Sequence, residues 1–350
     1  MVSNLLEHLR ARLNSPRLSY AESPTPITGG YDTRIFAFRL RGAPEPWAMP
    51  LILRVLGRQH PPTRALRERA IQNAVAGLGY PAPRVLLATT DLTILGGAFL
   101  VMERLAGRPL LSAQPFSVIS VLVEMQLRLH ALDAEVLLEA LDREGRETNA
   151  TDGPSIDREL VTFEGHLARL ERQIVSANLR GLEHAMTWLL DHRPTTEQRR
   201  VICHGDFHPQ NILMADRRVT GVIDWPNATV ADPAFDVAST RVILSSVPLE
   251  LLGIPPVFRS PVEILRRAGV TAYVRSYRRR RTLDSPGMAY HEALACMRGL
   301  VRTAAARLAP GKDHRLNPLD ASIFGERLAR RFARITGVGA NLPVVPRSAL

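Results

Sequence analysis

Ten consecutive residues, His204-Gly205-Asp206-Phe207-His208-Pro209-Gln210-Asn211-Ile212-Leu213, followed by Val222-Ile223-Asp224-Trp225, constrain this chain more than any other stretch. They space three oxygen-bearing side chains at short intervals: Asp206 and Asn211 lie five apart, Asn211 and Asp224 thirteen. A carboxylate and an amide oxygen are hard ligands suited to Mg²⁺, which keeps several waters and takes further ligands from phosphate oxygens. Around them Val201-Ile202-Cys203, Ile212-Leu213-Met214 and Val219-Thr220-Gly221-Val222-Ile223 are short apolar or β-branched runs. With Gly, Asp and Pro between them, they predict a hairpin-like segment of short strands. Asp206 then falls on a loop between strands, where a reacting side chain is exposed on a rigid scaffold. Asn211 and Asp224 fall at the mouth of the hairpin.

Phosphoryl transfer needs such a set, because the protein must orient a hydroxyl, hold Mg²⁺ and neutralise charge spreading over the phosphate oxygens. The protein-kinase template uses an Asp and an Asn five apart and then a magnesium-binding Asp. The sequence resembles the aminoglycoside phosphotransferase and choline kinase family of small-molecule kinases. In that family the block reads His-Gly-Asp-x-x-x-x-Asn, then Ile-Asp-Trp or similar, then Asp-Pro-x-x-Asp-Leu-Ala. Here the last element is Asp232-Pro233-Ala234-Phe235-Asp236-Val237-Ala238, with Val for Leu. The resemblance implies an α+β, two-lobed protein-kinase-like fold, with a small β-rich N-lobe and a larger, mostly helical C-lobe. It implies Asp206 as catalytic base, Asn211 and Asp224 as magnesium ligands, and Asp236 as a buried anchor for the catalytic loop. His204 and His208 are loop-shaping candidates, with His204 a hydrogen-bonding brace. Three blocks in the right order argue against a chance run of polar loop residues.

A kinase also needs a strand-borne cation for the α/β-phosphates, a helix-borne Glu to hold it, and a linker that receives adenine. Pro50-Leu51-Ile52-Leu53-Arg54-Val55-Leu56 is an apolar run with one basic residue, and 64–75 has helical spacing and carries Glu68. Phe99-Leu100-Val101-Met102-Glu103-Arg104-Leu105 resembles the family's hinge. By that alignment Met102 lines the back of the adenine pocket, and Glu103 and Leu105 offer main-chain groups to the base. An ordinary core strand with a polar exit would look the same. The usual strand cation is Lys. Here it is Arg54, in a chain with a single lysine, Lys312, against 44 arginines. Arginine keeps the charge but spreads it over a planar fork. The pair Gly29-Gly30 before the strand-like Ile35–Leu40 is the candidate phosphate-covering loop, although a plain hairpin turn explains it nearly as well.

The boundary between lobes is placed near residue 104, giving a nucleotide-binding lobe with a leading helix at 1–104 and a catalytic and acceptor-binding lobe at 105–350. Residues 118–133 read as a buried helix, and helical periodicity recurs around 156–178, 182–192, 261–282, 286–308 and 320–336. His130, within the family-like Leu-His-Ala-Leu-Asp, reads as a packing residue, and the tail from Val338 as loosely held. The N-terminus carries a charge within an apolar pattern and reads as an amphipathic helix, not a signal peptide. No run of about 18 apolar residues suggests a membrane span. Two cysteines, Cys203 and Cys296, make no disulfide framework, and Cys203 reads as a packed thiol. The expected compartment is the cytoplasm.

The formal net charge of +11, with Arg278-Arg279-Arg280-Arg281 beside Tyr273 and Tyr277, raises a nucleic-acid reading. The arginine run ends a predicted helix, where cations complement the dipole, and no nucleic-acid module accompanies it, so nucleic acid is disfavoured as a partner. Asp133 to Glu164 holds ten acidic and three basic residues. In this family the matching region helps shape the acceptor pocket, so an acidic lip there would favour cationic acceptors, although a solvated acid-rich helix pair explains it better. The reading is a phosphotransferase using ATP, or GTP, with Mg²⁺, acting on a hydroxyl of a small molecule. Its alternatives are a catalytically weak nucleotide-binding regulator of the same fold and a basic nucleic-acid-binding protein. Acceptor identity and oligomeric state are not written in short motifs.

Overall fold

The computed structural model describes residues 2–27, 33–149, 158–194, 199–249, 253–308 and 322–343; Gly29 and Gly30 lie outside them. The described chain divides into two compact units, Met1–Pro115 with Leu132–Arg158 and Pro209–Pro226, and Phe116–Ala131 with Glu159–His208 and Asn227–Leu350.

The first unit is built on an antiparallel sheet in the order β1-β2-β3-β5-β4. Its strands are β1 (Ser19–Pro26), β2 (Thr33–Arg41), β3 (Leu51–Leu56), β4 (Val85–Thr89) and β5 (Phe99–Glu103). Alternation along β3 sets its two faces. Leu51, Leu53 and Val55 are fully buried and join a core with Leu5 and Leu9 of helix α1 (Val2–Arg12). Ile52 and Arg54 take the opposite face. Helix α2 (Thr63–Gly77) lies between β3 and β4 in sequence, and α3 (Leu92–Leu95) between β4 and β5.

A single boundary near residue 104 does not describe this unit, because the chain leaves it and re-enters twice. Helix α6 (Ala134–Asn149) packs on α2, where Arg69 donates to Glu144. Strands β8 (Ile212–Ala215) and β9 (Arg218–Val222) form a hairpin that β6 (Arg108–Pro109) extends, with α4 (Leu110–Ala113) following it. The Val222 N–H also donates to the Pro81 carbonyl at 2.6 Å. Ladders between strands far apart in sequence, and one ion pair, hold these segments in the unit.

The second unit is mostly helical. Its elements are α5 (Val118–Leu129), α7 (Phe163–Ser176), α8 (Glu183–Asp191), β7 (Val201–Cys203), β10 (Thr229–Ala231), α9 (Pro233–Ser246), α10 (Pro256–Arg278), α11 (Ser285–Leu308) and α12 (Ser322–Thr336). The three expected strand runs exist, and the second and third form the expected hairpin. β7 pairs with β10, and β8 with β9. The core gathers α7, α8, α9, α11 and α12 around Phe235, Tyr290, Met297 and Phe332. The tail is held further than its composition suggests: Ala340 is buried, and the Asn341 N–H donates to the Gly181 carbonyl at 2.9 Å. Among the described residues no helix is long and apolar enough to cross a membrane.

His291 sits inside this core, edge-on to Phe163, Phe235 and Tyr290 at 5.4–6.0 Å between ring centres. Neither ring nitrogen has a hydrogen-bond partner among the described residues, and burial pulls the imidazole pKa down to about 3. The unfolded chain binds this proton near pH 6.5, the native one only far lower. Stability from neutral His291 is therefore complete above pH 6.5 and lost as pH falls through that window. The loss is about 2 kcal/mol between pH 7 and pH 5. The His291→Phe variant is expected to show a flatter fall of urea-unfolding free energy over that range. An unchanged slope would refute the assignment.

Candidate active site

In the first unit, Arg54 stands in the middle of the sheet, opposite Ile35 on one side and Leu100 on the other. Its two terminal nitrogens serve different carboxylates. Nη1 donates to Glu68 of α2 at 3.0 Å and Nη2 to Asp224 at 3.2 Å. Glu68 is fully buried, and its other oxygen accepts from Arg64, one helical turn earlier, at 2.7 Å. Burial alone would raise the Glu68 pKa, but the Arg54 and Arg64 guanidinium groups outweigh it and hold the carboxyl below its usual range. The strand cation and the helix carboxylate expected from sequence order are thus in contact.

Asn211 and Asp224 flank the open end of the β8–β9 hairpin. Ile212 pairs with Val222, and the Ile223 N–H donates to the Asn211 carbonyl at 2.9 Å, which closes that end. The chain then turns with Asp224 at φ +70°. That conformation is uncommon outside glycine, and Asp tolerates it better than most residues. Trp225 pins the turn: it is fully buried, its indole N–H donates to the Val222 carbonyl, and it meets Tyr80 edge-on. Asn211 is buried, whereas the Asp224 side chain is 42% exposed. Two hard oxygens at one hairpin end fit a divalent cation that retains water.

The hinge-like strand is β5. Met102 is buried and pairs with Ile52 and Val85. The Glu103 N–H donates to the Arg84 carbonyl, and its carboxylate accepts from the Arg84 N–H, both at 3.0 Å. The Arg104 N–H goes to Pro50. The Leu105 side chain packs over Gly221 of β9, where any β-carbon would overlap it.

In the second unit, a loop leads from β7 through His204, Gly205 and Asp206. Asp236, in the first turn of α9, is fully buried. One of its oxygens accepts from the Gly205 N–H at 2.7 Å, and the other from the His204 N–H at 3.1 Å and His130 Nε2 at 3.2 Å. Burial opposes ionisation, yet the hydrogen bond and charge of His130, with further help from His204 and Gly205, keep the Asp236 pKa below its usual value. His130 bonds Tyr277 through its other nitrogen at 2.6 Å, so it is a polar strut inside the unit and more than packing. Thr240, one turn further along α9, donates to the Phe207 carbonyl at 2.7 Å.

Asp206 itself is little exposed. His208 approaches its carboxylate at 3.8 Å, and its N–H faces His204 Nδ1 at 3.3 Å. Burial would raise its pKa, but His208, Arg302, His204 and Arg298 together lower it. Arg298 of α11 was not singled out from sequence. Its guanidinium donates to the Gly205 carbonyl at 2.7 Å and to Ser239 at 3.1 Å, and lies 4.9 Å above the Phe235 ring. Burial pulls its pKa down to about 10, against the attraction of Asp206 and Asp236. A lone cation inside Leu294-Ala295-Cys296-Met297-Arg298-Gly299-Leu300 was the available signal. The buried set His130, Cys203 and Asp236 also has metal-ligand spacing. Burial raises the Cys203 thiol pKa well above normal, and its sulfur donates towards the Ala231 and Asp232 carbonyls.

The fold is the two-lobed protein-kinase-like one, with a small antiparallel sheet and a helical lobe. A protein from Ralstonia eutropha JMP134, provisionally assigned as an aminoglycoside phosphotransferase, superposes with a TM-score of 0.63 at 18% identity, covering 96% of this chain and 98% of that one. A thermostable mutant of aminoglycoside phosphotransferase APH(4)-Ia, in complex with AMP-PNP and hygromycin B, gives 0.55 at 16% identity, over 96% of this chain and all of that one. The model of the phosphotransferase enzyme family matches residues 23–252, and the chain belongs to that family. Among curated relatives, rat acyl-CoA dehydrogenase family member 11 is 31% identical over 49% of this chain. This chain spans only 22% of that protein's length. Aminoglycoside 3'-phosphotransferase of Streptomyces fradiae is 29% identical over 59% of this chain and 75% of its own length.

Gly205 has φ +77°, and a β-carbon there would lie 2.2 Å from the Asn227 carbonyl oxygen. Gly205→Ala is therefore expected to distort the loop carrying Asp206 and to cost roughly 1–3 kcal/mol of stability. Chemical denaturation against the parent checks this, and an unchanged midpoint would show that the loop relaxes freely.

Proposed function

We propose that the protein transfers the γ-phosphoryl group of a nucleoside triphosphate, ATP in the first instance, to a hydroxyl of a small molecule. The observation that carries this reading is the little-exposed Asp206 carboxylate on a loop whose backbone is fixed by Asp236, Thr240 and Arg298. Asp206 would accept the hydroxyl proton as the acceptor oxygen bonds to phosphorus and the bond to the β-phosphate oxygen breaks. A carboxylate with a lowered pKa stands ready in its proton-accepting form at neutral pH.

Arg54, oriented by Glu68, would place a positive fork against the α/β-phosphates. Asn211 and Asp224 would hold Mg²⁺, which supplies neutralisation of triphosphate charge when bound. With the Glu103 and Arg104 N–H groups already bonded within the unit, the Glu103 carbonyl and Leu105 N–H are the main-chain groups assigned to the base. Met102 would back the ring. For the acceptor, a hydroxylated small molecule fits the family. The names of the relatives, one an aminoglycoside enzyme and others acyl-CoA dehydrogenases, point in different directions. The acidic stretch adds little: Glu144 is spent on Arg69, and 150–157 lies outside the described residues.

Asp206→Asn is expected to lower kcat by at least about 10²-fold while leaving nucleotide affinity within about threefold. Arg54→Ala should instead raise the nucleotide KM. Nucleoside diphosphate release across a panel of hydroxylated acceptors, combined with calorimetric nucleotide titration, separates the two effects. Turnover retained in Asp206→Asn would remove it from the reaction. Nucleotide binding without turnover on any acceptor would favour a regulator.

A further inference from the structure

A recess of about 700 Å³ lies in the helical unit between α10, α12 and the C-terminal end of α9. Among the described residues seven arginines line it, Arg259, Arg266 and Arg267 from α10 and Arg327, Arg330, Arg331 and Arg334 from α12, against one acid, Glu263. Ser245 and Ser246 add hydroxyls from α9. Nine residues separate Ser245 from Asp236 along α9, about 14 Å at helical rise. The recess is thus set apart from the loop that Asp236 braces.

Elsewhere the chain pairs arginines closely with acids: Glu68 serves Arg54 and Arg64, and Glu144 serves Arg69. Here the balance fails. Glu263 accepts from both Arg266 and Arg267, and Glu292 takes Arg331 and Arg241. Arg327, Arg330 and Arg334 have no carboxylate within 4 Å among the described residues. Arg327, Arg330, Arg331 and Arg334 also follow i, i+3, i+4, i+7 spacing, so like charges stack on one helix face, an arrangement that destabilises a helix unless an anion answers it. Arg266 leaves a buried Nε without a hydrogen-bond partner among the described residues. Burial first, and then the charges of Arg327 and Arg267, pull its pKa below the ordinary guanidinium value despite Glu263.

We propose that this recess binds a small ligand carrying clustered phosphate groups. Planar guanidinium forks match phosphate oxygens two at a time, and several forks on facing helices suit a short phosphate chain better than a single anion. The volume is that of a small-molecule site, whereas a duplex would be met by an open basic stripe along the surface. The inference stands on the recess alone and is independent of the phosphotransferase reading.

Calorimetric titration of the full chain with inorganic tripolyphosphate, in EDTA at low ionic strength, tests it. Arg330→Gln/Arg334→Gln changes two exposed side chains and is expected to weaken binding at least about tenfold, with an unchanged thermal melt. Arg278→Gln/Arg279→Gln, at the far end of α10, should leave the affinity as it was. Competition by ADP would assign the phosphates to a nucleotide, and its absence to a base-free anion; either keeps the site. Equal affinity in Arg330→Gln/Arg334→Gln, an equal loss in Arg278→Gln/Arg279→Gln, or tighter binding to duplex oligonucleotide or anionic vesicles would overturn it.

Discussion

The buried carboxylate of Asp236 is the point on which the loop carrying Asp206 depends. A fully desolvated anion is expensive, and this one persists because donors converge on it: two consecutive backbone N–H groups, an imidazole, and the N-terminal turn of its own helix. Those donors belong to His204 and Gly205, so satisfying Asp236 dictates how the chain leaves β7. Gly205 must then take a positive φ beneath Asn227, and its carbonyl turns towards Arg298. These constraints fix where the chain places Asp206. The rigidity of the loop is borrowed from α9 and α11, which the core packs together through Phe235 and Met297.

Much of this was legible in sequence, for a physical reason. Contacts close in sequence or fixed by strand register leave local signatures. The Asp-Pro start of α9, the alternation along β3 and the spacing from Asn211 to Asp224 are of that kind. Arg54 and Glu68 lie fourteen residues apart in successive elements, and their contact follows from the order of strand and helix. Arg298 reaches Gly205 across 93 residues. No periodicity records such a partner, and only a cation stranded in an apolar helix hinted at it. The expected hairpin forms between β8 and β9, but the partner of β7 was hidden for a related reason. β7 and β8 flank the loop in sequence, but β7 finds its partner in β10, beyond the second hairpin strand. The same non-locality makes a single boundary at residue 104 too simple, since α6 and the β8–β9 hairpin return to the first unit by side-chain and ladder contacts.

Net charge shows the limit of composition more clearly still. The four consecutive arginines at 278–281 are the most visible basic feature of the sequence, yet Arg281 is used internally, donating to the His130 carbonyl at 2.7 Å. A cluster of seven arginines comes from positions scattered between 259 and 334, brought together by two helices far apart in the chain. A run in sequence and a cluster in space are different objects. Only the second creates a potential that a compact anion can use.

Arg54 illustrates how one substitution is absorbed by its surroundings. A lysine ammonium is a point charge, and would have to divide one nitrogen between Glu68 and Asp224. The guanidinium offers separate nitrogens at fixed geometry, one to each carboxylate. Glu68 then has one oxygen for Arg54 and one for Arg64, so neither lone-pair set of the buried carboxylate is left unmet. Arginine at this position therefore couples α2, β3 and the turn at Asp224 through a planar bridge. Shortening it to lysine would remove that bridge while conserving charge, which makes Arg54→Lys a change of geometry and not of electrostatics.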